Sequence, residues 1–171
     1  MNNLIVVLMG GSSGEREISF LTGKACSNAL KKRGYKVKEI DGKGNFVKKL
    51  NKLKPKAVFN ALHGRFGEDG FIQSILEALK IPYTHSGVIS SSLAMDKVLS
   101  RKIFKKNKLK TPKYFLLYKD YKGNINAEVK KSKIKFPIVI KPVNEGSSLG
   151  VYICKNTTDF KKNYKKLSKE Y

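Results

Sequence analysis

Three short stretches of the chain concentrate the side chains able to do chemistry. The first, Gly10-Gly11-Ser12-Ser13-Gly14-Glu15, follows an apolar run and opens a helical pattern. It lacks the glycine spacing of a dinucleotide loop and the lysine of a Walker loop, so alone it is a weak phosphate signal. Its carboxylate, Glu15, can either complement the positive end of the helix or receive a substrate ammonium group. The second, His63-Gly64-Arg65-Phe66-Gly67-Glu68-Asp69-Gly70, joins a histidine, an arginine, two acids and three glycines at a strand end. Loops this dense in capable groups are seldom only connectors. His63 can bond the backbone or touch a substrate, and Glu68 or Asp69 can join it or begin the next helix.

The third stretch runs from Lys141 through Pro142, Asn144, Glu145, Gly146, Ser147 and Ser148 to Gly150. A glycine-serine loop between two strands offers N–H groups and hydroxyls to phosphate oxygens, and a strand-end lysine adds charge. Lys141 closes the apolar run Pro137 to Ile140, where an unpartnered lysine is costly.

The elements that must carry these loops follow from periodicity. Leu4 to Met9 is a continuous β-branched and aliphatic run, the pattern of a strand buried on both faces. Ile18, Leu21, Ala25 and Ala29 then form a helical stripe, closed by Lys31-Lys32-Arg33 and Gly34. Tyr35 to Ile40 reads as a second strand, Phe46 to Leu53 as a helix and Ala57 to Leu62 as a third strand. Ile72, Ile75, Leu76 and Leu79 mark another amphipathic helix before a short strand at Ile81 to Tyr83. Such alternation predicts an α/β fold, a parallel doubly wound sheet over residues 1–89. From Ser90 the character changes. A helix bearing Leu93, Leu99 and Phe104 leads to a strand at Tyr114 to Tyr118, a polar lysine-rich stretch, and a hairpin of Pro137 to Lys141 with Val151 to Cys154. Thr157 or Thr158 caps a last helix with Phe160, Tyr164 and Leu167.

Composition narrows the function classes. With 171 residues and 40% hydrophobic content the chain can bury a sizeable core. The net charge of +23 would ordinarily suggest a polyanionic partner. Its carriers are nearly all lysines spread along the chain, with arginine only at Arg16, Arg33, Arg65 and Arg101, and no aromatic-studded basic motif accompanies them. Nucleic acid is therefore not the expected partner. Cys26 and Cys154 have neither metal-ligand spacing nor a disulfide framework. The apolar run near the start is too short for a signal core or a membrane span, which leaves no membrane and a cytoplasmic location as the expectation.

In wording, order and spacing the segments GGSSGEREIS (10–19), ALHGRFGEDG (61–70), YTHSGVISSSLAMDK (83–97) and FPIVIKPVNEGSSLGV (136–151) resemble the motifs of the D-alanine–D-alanine ligases, ATP-grasp enzymes of peptidoglycan precursor synthesis. The resemblance implies a Rossmann-like, pre-ATP-grasp N-terminal domain at 1–89 and an incomplete ATP-grasp α+β domain at 90–171. It implies that Glu15 holds the ammonium group of the first D-alanine, that His63 lies near its carboxylate, and that Ser147 helps orient Glu15. It further implies that Lys97 and Lys141 contact ATP phosphates, that Glu145, Gly146, Ser147, Ser148 and Gly150 bind ATP, and that Gly146 to Gly150 is the mobile loop that closes over the phosphates. ATP phosphorylates one D-alanine, and the amine of a second displaces the phosphate. Homodimers are common in the family.

The resemblance also implies parts that this sequence does not contain: an adenine-binding hinge, a substrate arginine and tyrosine, and an acidic and asparagine cluster for two Mg2+ or Mn2+ ions. No metal ligand is expected among the residues present, and no ligase turnover is expected of the 171-residue chain alone. Two further readings stay open: a non-catalytic module binding D-alanine or nucleotide, and another ATP-grasp ligase joining a carboxylate to an amine.

Overall fold

The computed structural model describes residues 3–171, which divide into two compact units, a first one ending at Asp96 and a second one, Lys97–Tyr171. The division falls after Asp96 rather than at 89/90, because the helix Val88–Met95 is tied to the first unit; the Ser92 hydroxyl donates to the Asp69 carbonyl at 2.6 Å.

The first unit is built on β1 (Leu4–Met9), which pairs in parallel with β2 (Lys36–Asp41) on one side and β3 (Ala57–Asn60) on the other. Being central, β1 is buried on both faces, and its side chains alternate between two cores. Val6 and Leu8 join Ile40, Val58, Leu62 and Ile81 under α2 (Phe46–Leu53) and α3 (Phe71–Ala78), which contribute Phe46, Leu50, Ile72 and Leu76. Val7 and Met9 face the other way, toward Ala61 and α1 (Arg16–Lys32). The strand expected at Ile81 to Tyr83 is reduced to one parallel bridge between Val58 and Tyr83.

Helix α1 turns a different face inward from the one its apolar residues suggest. Ser19, Gly23 and Ser27 are buried, whereas Ile18 and Leu21 are 53% and 69% exposed. Spaced four apart, these small residues let the helix approach β1 closely. A Cβ on Gly23 would stand 2.6 Å from the Met9 Cβ, inside any permitted contact. Large residues do not fit on that face, so the apolar ones lie elsewhere on the helix.

The single helix expected beyond Ser90 is two, α4 (Val88–Met95) and α5 (Lys97–Lys106), because Asp96 is extended at φ −82°, ψ 108°.

In the second unit, the segment 114–118 is not a strand. Phe115 and Leu117 pack inward while Tyr114, Leu116 and Tyr118 are exposed, so the period-2 pattern is genuine, yet among the described residues no strand pairs with it. The lysine-rich stretch conceals α6 (Ile125–Ser132), capped by Asn124, whose side chain accepts from the Asn126 and Ala127 N–H groups. Strands β4 (Ile138–Ile140) and β5 (Tyr152–Cys154) form an antiparallel pair with Val139 opposite Ile153. Helix α7 (Thr157–Glu170) is capped by Asn156 rather than a threonine. Asn156 accepts from the Asp159 N–H at 2.9 Å while the Asp159 carboxylate accepts from the Lys155 N–H at 3.1 Å, a near relative of the reciprocal capping box. Val129, Ile138, Cys154 and Phe160 form the core. Among the described residues no helix is long and apolar enough to cross a membrane.

Candidate functional site

In the first unit the loops leaving the carboxyl ends of β1 and β3 meet, as parallel-sheet geometry requires of a ligand crevice. The Ser13 hydroxyl, in the loop after β1, donates to the His63 carbonyl at 2.8 Å and accepts from the Glu15 N–H at 3.2 Å. Glu15 stands at the start of α1 and is buried, 6% exposed as a residue. Its carboxylate lies against Gly64, where a Cβ would collide with Oε2, and Gly64 itself has φ +67°. Close approach and backbone angle both demand glycine there. Glu15 and His63, far apart in the chain, are thus neighbours across one glycine.

The loop after β3 is held at several points. Asn60, buried at the end of that strand, donates from Nδ2 to the Gly67 carbonyl at 2.8 Å and accepts the Leu62 N–H at 3.2 Å. Gln73 on α3 donates to the same Gly67 carbonyl at 3.0 Å. Asp69 accepts from the N–H groups of Phe66 and Phe71, and Glu68 accepts from that of Gly64 at 2.7 Å. Asp69 therefore shapes the loop. Glu68 turns back to the histidine, with Oε1 3.8 Å from His63 Nδ1.

The loop after β1 has its own clamp. Arg16 pairs bidentately with Asp41 at the end of β2, at 2.9 and 2.6 Å, and donates to the Gly11 carbonyl at 2.6 Å. Asp41 also accepts from the Gly11 and Lys43 N–H groups. The Arg16 guanidinium, aided by those N–H donors, holds the Asp41 carboxyl far below the usual carboxylate range against the opposing effect of partial burial. Ser19 links this loop to β3, accepting the Gly10 N–H at 2.8 Å and donating to the Ala61 carbonyl at 2.6 Å.

Two cavities adjoin these loops. One of ≈ 240 Å³ is floored by Gly10, Gly11, Ser12 and Ser13, and one of ≈ 350 Å³ by Thr22, Asn60, Glu68 and His85. Both are walled by Leu62, His63 and Gly67. Glu15 itself lines neither cavity; the titratable side chains among the lining residues are His63 and Arg65 in the first and His63, Glu68 and His85 in the second.

In the second unit the tip between β4 and β5 holds the other expected residues. Lys97, at the start of α5, donates from Nζ to the Val143 carbonyl at 3.1 Å and to the Glu145 carbonyl. Its charge is brought to the tip and braces it. Ser147 and Ser148 are exposed in the left-handed region, at φ 44° and 63°, with the turn closed by the Leu149 N–H on the Gly146 carbonyl at 2.9 Å. Lys141 is exposed one residue beyond β4, so the cost of burying a lysine does not apply to it. Beside it, Val139 and Ile153, paired across the hairpin, form its open apolar face. Among the described residues no group of three or more His, Cys, Asp and Glu side chains could hold a metal ion. The residues present do not fit the divalent cations that the resemblance implies.

Thr22, Ser13, Arg16 and Asp41 escape sequence reasoning, since each acts through a partner distant in the chain, and so does Asn60, whose near partners in the following loop leave no pattern in the sequence. The buried serines of α1 were the one available signal, a polar stripe at helical spacing.

Comparison with known proteins gives the family that the chain resembles. The family model for the "D-ala D-ala ligase N-terminus" matches residues 38–86, and that for the "D-ala D-ala ligase C-terminus" matches residues 103–170. A D-alanine–D-alanine ligase from Pelagibacter ubique is 54% identical over 162 residues, covering 94% of this chain and 53% of the relative. The crystal structure of the Bacillus anthracis D-alanine–D-alanine ligase superposes with a TM-score of 0.85 at 34% identity, over 97% of this chain and 54% of that one. The same enzyme complexed with ATP gives a TM-score of 0.83 at 32% identity, over 97% and 55%. The chain spans about half the length of the curated relatives it matches.

Proposed function

We propose that this chain, which belongs to the D-alanine–D-alanine ligase family, carries the first-substrate pocket and the phosphate loop of an enzyme converting ATP and two D-alanines to D-alanyl-D-alanine, ADP and phosphate for peptidoglycan precursors. The observation that carries the reading is the meeting of Glu15 and His63 across Gly64, with Ser13 binding one loop to the other. Glu15 takes the ammonium group and His63 the carboxylate of the first D-alanine. Lys97, Lys141 and the Glu145, Gly146, Ser147, Ser148 and Gly150 tip receive ATP, whose transferring phosphoryl group is stabilised by fixed charge and N–H donors.

Mg2+ or Mn2+ supplies charge neutralisation in such reactions, and its donors are not among the side chains described. The reading places the protein in the cytoplasm and as a homodimer. A chimaera in which residues 1–171 replace the aligned half of the Pelagibacter ubique ligase tests it. D-alanine-dependent phosphate release that falls ~100-fold or more in E15Q, as loss of a charge-assisted contact to the substrate implies, supports the reading. A folded, ATP-binding chimaera that releases no phosphate with D-alanine sinks it.

A further inference from the structure

His63 has two ring nitrogens and, when neutral, one proton to divide between them. Nε2 lies 3.0 Å from the hydroxyl of Thr22, and Nδ1 lies 3.8 Å from the Glu68 carboxylate. The distances leave the proton's place open, but the charges decide it. A proton on Nε2 would turn the Nδ1 lone pair toward a carboxylate, whereas a proton on Nδ1 meets that negative charge favourably and frees Nε2 to accept from a hydroxyl.

Thr22 is well suited to donate. It sits in mid-helix on α1, beside the close contact of Gly23 with Met9, so its backbone cannot drift. Its β-branched side chain has few rotamers to lose. The Ser13 hydroxyl fixes the other end of the histidine by its carbonyl.

We propose that the Glu68 carboxylate favours the Nδ1–H tautomer of His63 and that Thr22 is a positioning residue that reserves Nε2 and helps hold the ring in that form, the reverse of the one that predominates in free histidine. The 3.8 Å separation from Glu68 is longer than a hydrogen bond, which leaves Nδ1–H as the donor presented to an arriving carboxylate. That last consequence rests on the ligase reading; the tautomer does not.

His63 and His85 are the only two histidines, so nitrogen-15 NMR of their side chains resolves each ring. Spectra are taken near pH ~9, well above the ordinary histidine value of about 6.5, with H85Q assigning the signals. Wild type is expected to show His63 mainly as Nδ1–H, T22S to match it, and the nearly isosteric T22V to shift toward Nε2–H. Wild type with the proton mainly on Nε2 overturns the proposal without recourse to any variant, and so does T22V with an unchanged tautomer. Adding D-alanine to wild type then moves the Nδ1 resonance if the ligase reading is right. A confirmed tautomer with an Nδ1 resonance indifferent to D-alanine refutes the substrate role of His63 and leaves Thr22's positioning intact.

Discussion

Gly64 is the residue on which the crevice turns, since it separates Glu15 from His63 and has no room for a Cβ. G64A is expected to lower stability by about 1–3 kcal/mol through a strained left-handed backbone and displacement of the Glu15 carboxylate, read as a lower urea midpoint. Asp41 sets a pH dependence of definite sign. Its folded pKa is depressed by Arg16, so its contribution is fully present above the ordinary value of 3.8 and is lost as pH falls from there toward the folded value. Denaturation midpoints measured downward from pH ~5 should fall more steeply for wild type than for D41N. Glu15 and His63 stand out in the sequence as unusual residues in glycine-dense loops, which leaves a structural and a binding role open for each; the site roles come from the resemblance. Ser13 and Thr22 do not stand out, because a hydroxyl's partner 41 or 50 residues away leaves no local mark.

At the scale of elements, β1 could be read directly, since continuous burial writes itself as continuous apolar sequence. Helix α1 could not be read for its face. Its apolar stripe assumes that large residues do the packing, and here close contact with β1 selects Ser19, Gly23 and Ser27 instead. L21E is therefore expected to change stability by no more than about 0.5 kcal/mol, as at an ordinary surface position. S19A, in contrast, strips a buried bridge between the first loop and β3 and is expected to cost about 1–3 kcal/mol. Both are checked by chemical denaturation. In the second unit the lysines hid α6, whose inward Ile125 and Val129 are outnumbered. N156A at the start of α7 removes its cap and is expected to cost about 1 kcal/mol, seen as a lower thermal midpoint.

At the scale of the whole molecule, each unit has its own core and its own share of the expected site. Glu15 and His63 lie in the first; Lys97, Lys141 and the tip lie in the second. The excess of 36 basic over 13 acidic side chains repels itself, so added salt is expected to raise the melting temperature as screening shortens the reach of that field. The central claim concerns the first unit, that its crevice recognises the zwitterion of D-alanine. Calorimetric titration of the chain with D-alanine, with L-alanine as the control and E15Q beside wild type, tests it most directly. The account predicts heat of binding for D-alanine, weaker binding of L-alanine, and affinity lowered ~10- to 100-fold in E15Q, the loss of one charged hydrogen bond. Equal binding of both enantiomers, or D-alanine bound as tightly by E15Q as by wild type, would contradict it.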